Sequence, residues 1–186
     1  MGRTVPSPGI EAESPVPGDS ASFVTSAFYY PTTRSKLRLI REVEPEIRFA
    51  EFGNADTEIP LPFVRFDEYA SMLGNFRSNV VRGENSAIKA MLTGKPFLWD
   101  FYKESNGAHE EKIGDFLDFV RPFFVDEKSF AAYVDATRAI NSDEFDVESA
   151  RKCADILRGD CEPFVKMAET VRKDDLTMTV VTELET

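Results

Sequence analysis

The chain has 186 residues, 42% of them hydrophobic and sixteen of them Phe, which fits one ordinary domain with enough apolar side chain to bury most of a core. A formal charge of −11 weighs against a nucleic-acid-binding surface, which needs clustered Lys and Arg to neutralise phosphates. Cys153 and Cys161 lie outside any CxxC spacing and histidine occurs once, so no zinc-site pattern can be assembled, no metal is expected, and reduced cytoplasmic thiols are the default.

From Met1 to about Ala21 the chain carries four prolines, three glycines and almost no large apolar side chain. Such a segment cannot offset its ordering entropy, so 1–21 is predicted to be a disordered leader and 22–186 a Rossmann-like domain. The leader lacks the basic start and apolar run of a secretory signal, and nowhere do eighteen apolar residues run together, so no membrane association is expected.

Phe23 to Tyr30 is rich in aromatic and β-branched residues and meets Pro31, which predicts a buried strand and a turn. Thr33 is placed to cap a helix running to about Glu42, with Leu37 and Ile40 on one face. A second strand is predicted over Glu46–Phe52, ended by Gly53-Asn54. Proline-bounded Leu61-Pro62-Phe63 leads into a short helix with Tyr69, Met72 and Leu73 at helical spacing. Asn79-Val80-Val81, Arg82-Gly83 and a stretch with Ile88, Met91 and Leu92, closed by Gly94, read as strand, tight turn and helix.

Pro96-Phe97-Leu98-Trp99 predicts another buried strand, with Trp99 in the core. The helix from about Ala108 to Phe124 carries Ile113, Phe116, Leu117, Val120 and Phe124 on one stripe, leaving Asp115 and Asp118 on its solvated side. Further helices are expected around Glu127–Ile140, Val147–Arg158 and Glu162–Lys173, the last with Pro163 in its first turn. Short apolar strands alternating with amphipathic helices make an α/β fold, a parallel sheet covered on both faces, and such sheets bind ligands at the carboxyl ends of their strands.

The most informative run is Asn79-Val80-Val81-Arg82-Gly83-Glu84-Asn85-Ser86, where a strand end, a glycine turn and a helix start coincide. A helix N-terminus offers unpaired N–H groups to phosphate, Arg82 adds a planar charged fork, and Ser86 a hydroxyl donor. Glu84 repels phosphate and suits sugar hydroxyls or the positive charge that develops at an anomeric carbon. By local pattern alone the plainer reading is favoured, with Glu84 and Asn85 complementing the helix dipole and Arg82 a surface charge.

The run continues in a way that sharpens the choice. Val-Arg-Gly-Glu-Asn-Ser, then Gly94-Lys95-Pro96-Phe97-Leu98-Trp99, Tyr102 and Ala108-His109, resembles the signature of the EarP rhamnosyltransferases. That family reads Phe-Val-Arg-Gly-Glu-Asp-Ser, Gly-Lys/Arg-Pro-Phe-Val-Trp, a Tyr three further on, and Ala-His before a long helix. The likeness is strongest from about Phe63 to Val120 and implies the C-terminal half of a two-domain GT-B glycosyltransferase.

In that family the C-terminal domain holds dTDP-β-L-rhamnose, while the N-terminal domain supplies the general base and docks translation elongation factor P. The resemblance implies that Arg82 and Ser86 hold the diphosphate and that Glu84 is the essential glutamate beside the sugar, with Asn85 standing where an aspartate is usual. Ser26-Ala27-Phe28-Tyr29-Tyr30 is similar to the family's Ser-Leu-Phe-Cys-Tyr, which puts Phe28 and Tyr30 on the thymidine. Tyr102 matches a nucleotide-site tyrosine, and Tyr69 another aromatic position, although the Gln usual three residues earlier is Phe66. No cofactor beyond this donor is implied.

Flat aromatic rings suit a nucleobase, although an aromatic at a strand end also suits a core. His109 reads as a packing or capping residue. The resemblance implies an inverting protein-arginine rhamnosyltransferase of which this chain is the donor-binding half, with a separate N-terminal Rossmann-like domain expected. Arginine needs a positioned base, and Glu11, Glu13 and Asp19 of the leader lie in too flexible a stretch to serve. The alternative is a non-catalytic Rossmann-like binding or interaction domain that keeps a relic nucleotide site.

Overall fold

The computed structural model describes residues 23–53, 57–104 and 107–173; the leader expected over 1–21 lies outside them. Five parallel strands form one sheet in the order β3-β2-β1-β4-β5: β1 Phe23–Ala27, β2 Ile47–Phe52, β3 Ile59–Leu61, β4 Ser78–Arg82 and β5 Phe97–Asp100. Strands buried on both faces read as nearly continuous apolar runs, and β5 is buried at all four positions. This is the expected doubly wound α/β architecture.

The helices are α1 Arg34–Val43, α2 Phe66–Leu73, α3 Glu84–Thr93, α4 Ala108–Val120, α5 Glu127–Asn141, α6 Val147–Arg158 and α7 Glu162–Lys173. Helices α1, α5 and α6 pack together on one side, and α2, α3 and α7 on the other. Among the described residues, no helix is long and apolar enough to cross a membrane.

Polar pairs as well as apolar packing fix the β1–β4 register. Thr25 Oγ1 lies 2.8 Å from Ser78 Oγ, and Ser26 Oγ donates to Asn79 Oδ1 at 2.6 Å, all four residues being fully buried. A slip by one residue would strand these groups without partners, at a cost comparable to several lost hydrogen bonds. The edge strands are protected differently. β3 carries Pro60, tolerable only at an edge, whereas the end of β5 is covered by Asn141 of α5, which accepts from the Phe101 N–H at 2.8 Å and donates to the Trp99 carbonyl at 2.9 Å.

The structure departs from expectation in four places. β1 stops at Ala27, not Tyr30: the Phe28 N–H still reaches the Val80 carbonyl at 2.8 Å, but the Tyr30 N–H turns to the Asp100 carboxylate at 2.7 Å. Thr33 precedes α1 without capping it, because its hydroxyl is drawn to Asp100 as well. β3 was not expected at all, since three residues flanked and interrupted by proline carry no readable period. The long fourth helix ends at Val120, where Arg121–Phe123 tightens into a 3₁₀ turn containing Pro122.

Candidate functional site

The strand order reverses between β1 and β4: the chain steps outward from β1 through β2 to β3, returns to β4, and then moves to β5 on the other side. The crevice at the carboxyl ends of β1 and β4 is the place where such a sheet takes a ligand. The segments that meet there are Phe28–Tyr30 and Arg82–Ser86.

Arg82, the last residue of β4, lies against two aromatic faces. Its guanidinium carbon is 4.3 Å from the Phe28 ring centroid and 4.9 Å from that of Tyr30. Such contacts orient a guanidinium without neutralising it. Arg82 forms no ion pair among the described residues, so its charge is available to an anion.

Gly83 follows with φ 73° and ψ 150°, a conformation open essentially to glycine alone, and is the residue from which α3 starts. Gly83 has no side chain with which to cap that helix end, and the first amides of a helix have no partner within it. A Cβ on Gly83 would meet nothing within 4 Å, so Gly83→Ala acts through backbone strain alone. It is expected to lower stability by roughly 1–3 kcal/mol, read as a shift in denaturant midpoint; an unchanged midpoint would show that the turn is not strained.

Two aromatic lobes flank Arg82. On one side Phe28, Phe52, Phe63, Val64, Tyr69 and Ser86 line a cavity of about 210 Å³. The Phe28 ring meets Phe52, Phe63 and Tyr69 edge-on at 6.1, 6.4 and 6.3 Å between centroids. Burial pushes the Tyr69 phenol up to about 12, against the opposing effects of Ser86 and Arg82. The Tyr69 hydroxyl lies beside Ser86 but completes no hydrogen bond of good geometry. On the other side Tyr102, 64% exposed, stands edge-on to Tyr30 at 5.7 Å. Burial raises the Tyr30 pKa, and Arg82 opposes that shift.

Glu84 opens α3 with its side chain 40% exposed, 3.9 Å from Lys112 Nζ, which lies closer, at 3.2 Å, to Glu104. Ion pairs this exposed hold a side chain weakly, so Glu84 is free to turn toward a ligand. Asn85 is exposed in the same turn. The structure thus brings Phe28, Tyr30, Tyr69, Arg82, Ser86 and Tyr102 to one crevice, with Glu84 and Asn85 at its edge. The side chain of Phe66 lies outside the described residues.

Trp99 is core, 1% exposed and stacked on Phe101 at 3.9 Å. His109 sits apart in the first turn of α4, 3.6 Å from Glu110. Sequence reasoning missed Phe52, Phe63 and Asp100. The first two could have been found by asking what lies at or just past the carboxyl end of each parallel strand. Asp100 could have been found as the one acid closing the apolar run Phe97-Leu98-Trp99. Among the described residues there is no cluster of His, Cys, Asp and Glu able to hold a metal.

A family model described as Elongation-Factor P (EF-P) rhamnosyltransferase EarP matches residues 35–182. A protein-arginine rhamnosyltransferase of Pseudomonas putida is 38% identical over 94 residues, covering 50% of this chain and 24% of that protein. One of Neisseria meningitidis serogroup B is 33% identical over 69 residues, covering 37% and 18%, and one of Pseudomonas aeruginosa is 31% identical over 88 residues, covering 44% and 23%. The matched stretch is therefore about a quarter or less of the length of these relatives. A solved structure, described as the structural basis for EarP-mediated arginine glycosylation of translation elongation factor EF-P, superposes with a TM-score of 0.68 at 20% identity. That likeness of fold covers 91% of this chain and 62% of the other. Because the family model spans most of the sequence, the chain belongs to the EF-P rhamnosyltransferase EarP family.

Proposed function

We propose that this chain is the donor-binding part, in GT-B terms the C-terminal half, of an inverting protein-arginine rhamnosyltransferase that uses dTDP-β-L-rhamnose to modify elongation factor P in the cytoplasm. The observation that carries the reading is the Arg82 guanidinium, in contact with no described acid, set between two aromatic lobes beside the helix N-terminus that starts at Gly83. Family membership supports the chemistry.

In this reading Arg82, Ser86 and the first amides of α3 hold the diphosphate. Phe28, Tyr30, Tyr69 and Tyr102 offer faces and edges to the thymidine, and Asn85 adds a polar group at the rim. Glu84 is the catalytic residue of this half, a carboxylate beside the sugar that steadies positive charge at the anomeric carbon as the bond to phosphate lengthens. Asp100, the other acid at the crevice, is committed to Tyr30 and Thr33. The base that polarises the acceptor guanidinium, and the surface that docks elongation factor P, are assigned to a separate N-terminal Rossmann-like domain.

Two measurements test this. In a thermal melt, dTDP at about a hundredfold over its Kd should stabilise the chain by about 2.7 kcal/mol, with UDP and GDP at equal concentration doing less. Equal shifts for all three would leave only a generic phosphate cradle. For transfer, the chain is incubated with dTDP-rhamnose and unmodified elongation factor P, with and without a separately supplied N-terminal domain, and the acceptor is weighed intact. One added deoxyhexose is expected only when both parts are present, and Glu84→Gln should abolish it while leaving dTDP affinity within a few-fold. Addition by the chain alone would overturn the assignment of the base. Nucleotide binding without transfer in either mixture would favour the relic binding domain.

A further inference from the structure

β5 ends in Asp100, an ionisable residue only 4% exposed. A carboxylate at that depth is costly unless donors meet its oxygens, and burial raises its pKa accordingly. Two groups of the segment that follows β1 favour its charge: the Tyr30 backbone N–H donates at 2.7 Å, and the Thr33 hydroxyl helps to lower its pKa. Positive charge is supplied by Lys36 and Arg82. Lys36 is itself buried, its Nζ donating at 2.6 Å to the carbonyls of both Ile140 and Ser142.

The connection to the crevice is direct. After Ala27 the chain leaves the ladder, and the Phe28 N–H to Val80 carbonyl bond is its last tie to β4. The next main-chain anchor is the Tyr30 N–H on Asp100, with the Tyr29 hydroxyl between the two donating to Glu51. Between and beside these two anchors stand the Phe28 and Tyr30 rings that flank Arg82. The backbone of the platform is therefore held at one end by the main chain of β4 and at the other by the Asp100 side chain, which reaches across from the end of β5, in register with Arg82 on β4.

We propose that Asp100 is a positioning residue of the nucleotide-sugar site: by holding the Tyr30 backbone and Thr33 it fixes the Phe28 and Tyr30 rings against Arg82 before any ligand arrives. The inference rests on the nucleotide-sugar reading. Asp100 needs no contact with the ligand. Its contribution is preorganisation, since a platform already in its bound geometry spares the ligand the ordering of that segment.

The test compares wild type, Asp100→Leu, which removes the acceptor while keeping the buried volume filled, and Asp100→Asn, which keeps one carbonyl acceptor. Hydrogen exchange by NMR reads the Tyr30 amide without any ligand, and calorimetry reads dTDP affinity. In Asp100→Leu the Tyr30 amide should exchange about tenfold faster or more, while Val80 and Leu98 in the sheet keep wild-type protection. The same variant should bind dTDP about tenfold more weakly or worse, and Asp100→Asn should stay within about threefold of wild type on both readouts.

Unchanged Tyr30 exchange in Asp100→Leu would overturn the clamp. A loosened Tyr30 with unchanged affinity would overturn the positioning role and leave Asp100 a brace for the start of α1. If Asp100→Leu loses protection throughout the sheet, Asp100→Asn decides: intact protection with weakened affinity would contradict the inference, and retention of both would support it. Absence of dTDP binding by wild type would overturn the nucleotide reading and the positioning role together, and the exchange measurement would still decide the clamp.

Discussion

Arg82→Ala is expected to weaken dTDP binding by about 1.5–3 kcal/mol, the scale of a hydrogen bond to a charged group, or roughly 10- to 150-fold in Kd. The guanidinium is the charge at the centre of the crevice, packed on two aromatic faces and in contact with no described acid. Removing it also leaves the Phe28 and Tyr30 faces without the group they pack on, so the platform loses order as well as charge. The fold should tolerate the change, because Arg82 stands at a strand end and is only half-buried. Calorimetry on the variant, with its melting temperature as a control, checks both halves. Equal affinity for wild type and variant would remove Arg82 from the site.

Phe97→Ala should be the most damaging of the substitutions considered, lowering stability by about 3–5 kcal/mol in a chemical-denaturation experiment. Phe97 has no solvent exposure, and its ring meets Phe116 of α4, Tyr133 of α5 and Phe164 of α7 at 6.1, 6.5 and 5.8 Å. Three helices therefore lean on one side chain of an edge strand, and the aromatic walls cannot readily collapse into the space it leaves. A domain with the usual 5–15 kcal/mol of stability would lose a large part of it. A loss under about 1 kcal/mol would mean that the cluster repacks, and that β5 is less firmly held than its contacts imply.

These two residues illustrate what could be read from the sequence. Phe97 stands in an unbroken apolar run, and such a run between proline and a charged residue has few fates other than a buried strand. The helices were similarly legible: Val147–Arg158 and Glu162–Lys173 carry both periodicity and end signals, and they form at those residues. Arg82 was legible for a different reason, because a strand end, a positive-φ glycine and a helix start leave little freedom in where its side chain goes.

What the sequence did not yield depends on contacts between distant segments. Nothing near Tyr30 says that its N–H will leave the ladder for an acid seventy residues away. The same acid takes the Thr33 hydroxyl that local pattern assigned to a helix cap. β3 is held by pairing Ala50 with Ile59 and Phe52 with Leu61, a tertiary choice that overrides the poor strand propensity of Pro60. Phe52 and Phe63 become cavity walls only because β2 ends beside β1 and β3 beside β2. In each case the deciding partner sits on another strand, where periodicity carries no information.

The most direct test of the account is to titrate the ¹⁵N-labelled chain with dTDP and map the amide shifts by NMR. The prediction is saturable shifts concentrated at Phe28–Tyr30, Arg82–Ser86, Tyr69 and Tyr102, with α5 and α6 unmoved. Shifts that fail to saturate, or that gather on a surface away from the β1–β4 crevice, would contradict it.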